Sequence, residues 1–559
     1  MTAPDGSVTA YQYDASGNLI AATDPAGSIT CYSYDDKGQL IMVTDAAGKT
    51  TSFAYDGAGN LIKIIDPAGA VMAMAYDVDG NMISSTDPAG VSTSYAYDAL
   101  NRLVRVTDVA GNATYYEYDA SGDRTGVTDA NGHITRMEYD LKGRVTRIID
   151  ALGQATSIAY AETDCATCGS AGRNKPSSTT DANGNTTMFS YDALGRLIAE
   201  TDPLGNVTRY GYDAKSDVIS RTDANGNTIT YAYDKLGRLT AKHYPDGTAA
   251  TFAYDVKGRL IRAANQNITY EMAYDAADRL LATTDSNGRT ISYKYDASGN
   301  RVKMITPEGK EVAYSYDEAN RLARIDSWAG TFAFGYDHAG RRISLAYPNG
   351  VTTNYTYDAL SNLTKILIPG SGGKKKSNLL SAITYTHDAI GNRLSKTINE
   401  GTGHGHGRHH QTKHLDYTYD AVHGLINSLV LRESKHKEKE LRHQSEIFAY
   451  DPVGNRLVGP KESSTYTHNQ ANQLLEGPRF SYHYDKNGNP IGKIGFDEGD
   501  YVSWSYKYDY ENRLVKATKM DEKETTVISF KYDPFGRRIE KRVEELESRD
   551  KDMKITTYV

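Results

Sequence analysis

The stretch "YSYDDKGQLIMVTDAAGKTTSFAYDGAGNLIKIIDPAGAV", Tyr32 to Val71, says nearly the same thing twice. In each half a Tyr-Asp pair opens a turn, Leu-Ile follows, and a second Asp opens another turn. Every turn reads Asp-x-x-Gly: Asp35 to Gly38, Asp45 to Gly48, Asp56 to Gly59 and Asp66 to Gly69. Asp at the first position hydrogen-bonds its own backbone, Pro where present presets φ, and Gly closes the turn, which is what a type I turn asks for. The segments between turns, such as Gln39 to Thr44 and Lys49 to Tyr55, are rich in Thr, Ile, Val, Tyr and Phe. They are too short for stable helices and suit strands. One unit is therefore two antiparallel strands.

The Tyr of each Tyr-Asp pair marks the period. Tyr13, Tyr34, Tyr55, Tyr76, Tyr97, Tyr118, Tyr139 and Tyr160 are each 21 residues apart, and from Tyr191 to Tyr357 the markers resume at spacings of 20 or 21. Within a strand, side chains alternate faces, so Thr30, Tyr32 and Tyr34 share one side and Ile29 and Cys31 the other. Successive units then place Tyr beside Tyr or Leu in a ladder of cross-strand pairs. The repeat elements that carry this ladder are Tyr34, Asp35, Gly38 and Leu40; Tyr55, Asp56, Gly59 and Leu61; and Tyr191, Asp192, Gly195 and Leu197. Each unit covers its face only against its neighbours, so the sequence has to repeat.

The bulk numbers agree. Hydrophobic residues make up 39% of the 559 residues, with 43 Tyr against 10 Phe and a mean hydropathy of -0.58. A large oily core is excluded, whereas an amphipathic aromatic surface is expected. A net charge of -8 argues against general nucleic-acid binding, which needs a basic field. No apolar stretch of about 20 residues exists, so no membrane-spanning helix is expected. The opening MTAPDGSVTAYQYD has no leader pattern and looks like the second half of a repeat.

Size constrains the shape. About 22 units give roughly 44 strands and on the order of 200 Å of ribbon at a spacing of ~4.8 Å, too many for an open sheet that does not curl. The expected fold class is all-β, a long curled ribbon, solenoid-like or spiralling into a hollow shell. Two laps would each measure about 100 Å round, with a bore near 30 Å by the same spacing.

The pattern in "YDALGRLIAETDPLGNVTRYGYD", from Tyr191, recurs from Val8 to Arg538. It resembles the RHS or YD-repeat proteins. The resemblance implies a β-ribbon spiralling into a hollow shell, as in bacterial Tc toxins, polymorphic RHS toxins and the animal teneurins. In bacterial members the shell encloses a variable C-terminal toxin, released by self-cleavage at a core segment. The tail "KYDPFGRRIEKRVEELESRDKDMKITTYV" stops, by resemblance, where that core should begin, and Asp533-Pro-Phe-Gly536 reads as an ordinary repeat turn.

Two regions depart from regularity. Residues 1–360 are regular repeats with an enlarged loop at 161–180 that carries Cys165 and Cys168. These two cysteines are read as a local disulfide or reduced pair, since two ligands cannot close a zinc site. Residues 361–559 are degenerate repeats with long His- and Lys-rich insertions, all at the second turn of consecutive units. Those loops should crowd one rim. His404, His406, His409 and His410 are weak candidates for transition-metal binding through imidazoles, set against the plainer reading of solvated loop sequence. The turn aspartates are read as turn formers, not acid/base pairs.

The sequence thus predicts a non-enzymatic shell segment of an RHS-type secreted or contact-dependent toxin, with no cofactor. Its partner would be an encapsulated toxin polypeptide or further parts of the same chain. The alternative is a cell-surface or secreted adhesion module that binds carbohydrate or a surface protein.

Overall fold

The structure, a computed structural model, describes residues 1–161, 174–369, 379–402, 409–432, 442–460, 465–497, 499–522, 524–546 and 551–557. Among these there is no helix; 50 strands follow one another in chain order. Thirty-nine, from Ala10–Tyr13 to Arg442–Ile447, form one continuous antiparallel sheet, nine, from Thr467–His468 to Lys551–Thr557, form another, and the two between them, Ala449–Tyr450 and Arg456–Val458, pair with each other. Each pairs with its sequence neighbours, so all Tyr-Asp turns lie along one edge and all second turns along the other. We call these the Tyr-Asp rim and the Thr-Asp rim.

The turns are built as their sequence demands. At Asp35 the Gly38 N–H donates to the Asp35 carbonyl at 3.0 Å and the Asp35 N–H donates to the Gln39 carbonyl at 2.9 Å. The carboxylate oxygen Oδ1 of Asp35 accepts from the N–H groups of Lys37 and Gln39, both at 2.9 Å. Gly38 sits at φ +79° and Gly59 at +95°, the left-handed corner that ends a three-residue hairpin loop.

An odd period poses a problem that the backbone solves with a bulge. Tyr34 faces Leu40 but Ser33 faces Met42, which leaves Ile41 unopposed; the same irregularity recurs at Tyr55 and Tyr97. The second turn has none, with Thr44 facing Thr50 and Val43 facing Thr51. Crossing the sheet from Tyr32 through Val43 to Thr51 therefore advances 19 residues where the repeat advances 21. The stagger is two residues per unit. Without the bulge it would be one, and alternate units would turn their tyrosines to opposite faces.

The stagger survives every change of unit length. Where the markers stand 20 apart, at Tyr254 and Tyr274, the second turn loses one residue and Ala264 faces Thr269. Where they stand further apart, the second hairpin lengthens. Strands Leu379–His387, Arg393–Thr402 and His409–Tyr419 run to 9, 10 and 11 residues, against 5 or 6 in most earlier units. The insertions therefore extend the Thr-Asp rim and leave the Tyr-Asp rim unchanged.

A shift of two residues per two strands inclines the strands about 35° from the ribbon's transverse direction, as in closed barrels. The ribbon winds back on itself. Ser298 reaches Asp45, Asn131 reaches Asp388, Asn183 reaches Asp451 and Lys242 reaches Glu511. The Thr-Asp rim of the first lap thus meets the Tyr-Asp rim of the second after 23 to 25 strands. At ~4.8 Å per strand and ~35° inclination, one lap is about 140 Å round and the bore about 45 Å wide.

The surface area says the same. The chain exposes 32131 Å², against about 20,000 Å² expected of a compact protein of its mass. A single-layer wall leaves both faces accessible, and Thr269–Tyr274 shows the alternation, with Glu271 and Ala273 exposed and their neighbours half-buried.

Candidate functional site: the ladder and the seam between laps

Two arrangements are built from the repeat residues, one within a lap and one between laps. Within a lap the tyrosine ladder runs along the Tyr-Asp rim. The hydroxyl of Tyr34 donates to the Leu19 carbonyl at 3.0 Å and that of Tyr55 to the Leu40 carbonyl at 2.9 Å, each 15 residues back. Tyr212 does the same to Leu197 at 2.7 Å. Where Arg follows the turn, it joins two units. Arg196 gives Nε to Asp192 Oδ2 at 2.6 Å and Nη1 to the Asp213 carbonyl at 2.8 Å, and its guanidinium lies 4.8 Å from the Tyr212 ring centre. Lys175 stands over the Tyr191 ring in the same way. All the repeat residues named from the sequence lie on this ladder or in its turns: Asp56 holds Asn60 as Asp35 holds Gln39, and Asp192 accepts the Leu194 and Arg196 N–H groups. Gly195 sits at φ +74°, and Leu61 pairs with Tyr55.

Electrostatics follow from the bonding. The Arg144 hydrogen bond holds the Asp140 carboxyl down at about 2. Burial pushes the Tyr508 hydroxyl up to about 12. At Asp45 burial works to raise the carboxyl, but hydrogen bonds from Ser298, Lys49 and others outweigh it and the net direction is down.

The seam consists of turns that exchange amides for carboxylates. Asn225 Nδ2 donates to Asp485 Oδ2 at 3.0 Å, and Asn487 Nδ2 donates back to Asp223 Oδ2 at 2.7 Å. The backbone joins in, with Asn225 N–H to Asn487 Oδ1 and Lys486 N–H to Asn225 Oδ1. Two units earlier Asn183 donates to Asp451, and Asn472, from the next second-lap turn, donates to Asp181. Further along, aromatic rings take over: Tyr244 stacks on Tyr510, and Phe535 packs against Tyr270 and Phe252. A cavity of about 220 Å³ there is lined by Tyr270, Asp285, Arg289, Asp533 and Arg537 among others. Its Arg289 and Arg537 are each paired with a carboxylate, Asp285 and Asp533, at 2.6 Å.

One seam node differs. Asp129 Oδ2 is faced by His133 Nδ1 and His423 Nε2, each at 3.4 Å. These three side chains are the group among the described residues that could hold a metal ion. Sequence reading missed them because 290 residues separate His133 from His423, and it looked instead for histidines close together in the chain. Of those, His404 and His406 lie outside the described residues, as do Cys165 and Cys168. His409 and His410 lie in the strand that pairs them with Thr402 and Gly401.

This ribbon has known counterparts. The sequence profile of the Teneurin YD-shell matches residues 212–353 and 407–550. That of the RHS Repeat matches 1–29, 34–71, 76–113, 118–155, 172–207, 191–228 and 336–372. The chain belongs to the RHS/YD-repeat family. Among solved structures, the Photorhabdus luminescens Tc holotoxin pore carrying the TccC3-D651A mutation superposes at a TM-score of 0.66 and 14% identity. That match covers 99% of this YD-repeat chain and 32% of the other. The TcdB2-TccC3 crystal structure superposes at 0.52 and 13% identity, covering 99% and 39%. At such identities the likeness is one of fold, and this chain spans about a third of those toxin chains. No curated protein matches it in sequence.

Proposed function

We propose that this YD-repeat chain is a wall segment of a hollow shell in a secreted RHS-type toxin, and that its work is confinement and not chemistry. The observation that carries this reading is the seam: a ribbon that returns to itself after about two dozen strands encloses a space instead of filling a core. A bore about 45 Å wide admits an extended or unfolded polypeptide but not a large folded domain. The client would be a polypeptide covalently continuous with the shell or part of the same assembly, and the fold shared with Tc toxin chains supports that assignment.

The test fuses an unfolded reporter, with cleavage sites for a large protease, to the end of the chain. Confinement slows cleavage markedly against the same reporter on a compact carrier; equal rates overturn the proposal. One observation favours the adhesion reading. Val78, Leu100, Leu141, Leu194 and Leu236, at the tips of first-lap Tyr-Asp turns, stand exposed on the rim turned away from the second lap. Binding to cell surfaces or glycans that is lost when these five become Ser, with reporter protection absent, would establish it.

A further inference from the structure

We propose that Asp129, His133 and His423 form a site for a divalent transition metal of the zinc class, which clips the second lap to the first. Three observations meet there.

The first is distance. Zinc bonds of about 2.0 to 2.1 Å in tetrahedral geometry set neighbouring ligand atoms ~3.3 to 3.4 Å apart. Both His133 Nδ1 and His423 Nε2 stand 3.4 Å from Asp129 Oδ2, beyond the usual reach of an N–H to oxygen hydrogen bond. The three ligand atoms lie within 4.8 Å of one another, with the two rings tilted at 49°.

The second is an unmet polar atom. At several other second turns the residue four after Asp donates to Oδ2, as Asn206 does to Asp202 at 2.9 Å and Arg289 to Asp285 at 2.7 Å. His133 occupies that position, yet its Nδ1 is buried without a hydrogen-bond partner. Asp129 Oδ1 is already taken by the N–H groups of Asn131 and His133, so Oδ2 is the free ligand atom.

The third is backbone conformation. His423 takes the glycine position of its Tyr-Asp turn at φ +67°, a region unfavourable to any residue with a Cβ. Among the described residues the other seven non-glycine residues with positive φ are Asn, Asp or Ser, whose short polar side chains suit it. Histidine is among the few non-glycine residues that do enter this region, and here the turn brings the imidazole to Asp129. Neighbouring turns fix the pocket: Asn131 and Asn392 both donate to Asp388 Oδ2 at 2.9 Å.

Two imidazoles and one carboxylate are borderline ligands suited to Zn²⁺, Co²⁺ or Ni²⁺, with water completing the shell. An ion bound only when both laps are in place stabilises the wound form.

The test uses the full chain with His404, His406, His409, His410, His436 and His443 changed to Ala and Cys165 and Cys168 to Ser, so that these loop ligands contribute nothing. Zn²⁺ titration calorimetry should give one site per chain with a micromolar or tighter dissociation constant. Zn²⁺ should raise the thermal midpoint, and Co²⁺ should show the strong visible absorption of tetrahedral coordination. His423→Gly restores the preferred turn residue, and His133→Asn the usual partner of Asp129. Each should abolish binding and the Zn²⁺-dependent shift while leaving the metal-free midpoint unchanged or higher. Absence of binding in the parent, or binding that survives both substitutions, overturns the proposal.

Discussion

Replacing Tyr118 with Phe removes one rung of the ladder and nothing else. The Tyr118 hydroxyl donates to the Leu103 carbonyl at 2.9 Å. Its ring lies under Arg102, 4.8 Å from the guanidinium carbon. Arg102 in turn bonds Asp98 Oδ2 at 2.7 Å and the Asp119 carbonyl at 3.0 Å. Phe keeps the ring and the cation–π contact, so the loss is one neutral hydrogen bond, about 1 kcal/mol. Leu at the same place also forfeits the cation–π contact, a further ~0.5 to 1 kcal/mol at a half-exposed site. Repeat arrays distribute stability between neighbouring units, so the effect should be local. Native-state hydrogen exchange reads it directly. Amides of the units on either side of Tyr118 should exchange about 5-fold faster in the Phe variant and roughly 10- to 30-fold faster in the Leu variant. Units more than two repeats away should not change. Uniform acceleration along the chain, or none, would refute a wall held by unit-to-unit rungs.

Three further outcomes follow from the same contacts. Gly38→Val forces a β-branched residue to φ +79° and should cost about 1 to 2 kcal/mol or more, read as a lower denaturant midpoint. A double-mutant cycle on Asn225→Ala and Asn487→Ala should show coupling of about 0.5 kcal/mol or more, because each side chain completes the other's turn across the seam; strict additivity would contradict the exchange described. In acid, Asp45, Asp388 and Asp451 have lowered values, burial being outweighed by hydrogen bonds that include cross-lap donors Ser298, Asn131 and Asn183. Their contribution is present above the ordinary value near ~4 and lost as the pH falls through the lower folded values, so the laps should part below about pH 4. In alkali the direction reverses. Burial raises Tyr231, Tyr417 and Tyr508, the last to about 12, so their stabilisation holds below ~10 and is lost as the pH climbs toward 12, visible as cooperative unfolding by circular dichroism.

Much of the fold is legible because each unit is built from local chemistry. Asp35 and Gly38 define a turn without reference to anything distant, and the alternation in Ile29 to Tyr34 assigns the faces. The bulge at Ile41 was hidden in plain arithmetic. An odd period demands it, but no residue type marks it, since the unopposed residue is Ile in one unit and Val in another, as at Val104. The laps were not legible. The seam joins residues some 250 to 290 apart that share no periodic relation, and only a change of turn composition hints at it. Turns at Asp129, Asp181 and Asp223 read Asp-Ala-Asn-Gly where those at Asp66 and Asp87 read Asp-Pro-Ala-Gly, and those asparagines are the ones that reach the second lap. The node at Asp129 was beyond reach for the same reason: neither His133 nor His423 has a ligand partner nearby in sequence except Asp129 itself.

The central claim is that the ribbon winds and meets itself. Spin labels at Ile219→Cys and His483→Cys, with Cys31, Cys165 and Cys168 changed to Ser, test it by pulsed dipolar spectroscopy. The two sites lie in strands Val218–Thr222 and Phe480–Tyr484, 24 strands apart along the ribbon and adjacent across the seam. Winding predicts a distance of about two strand lengths, below ~40 Å. An unwound ribbon would hold the labels about 140 Å apart at ~4.8 Å per strand and ~35° inclination, and the dipolar signal would vanish.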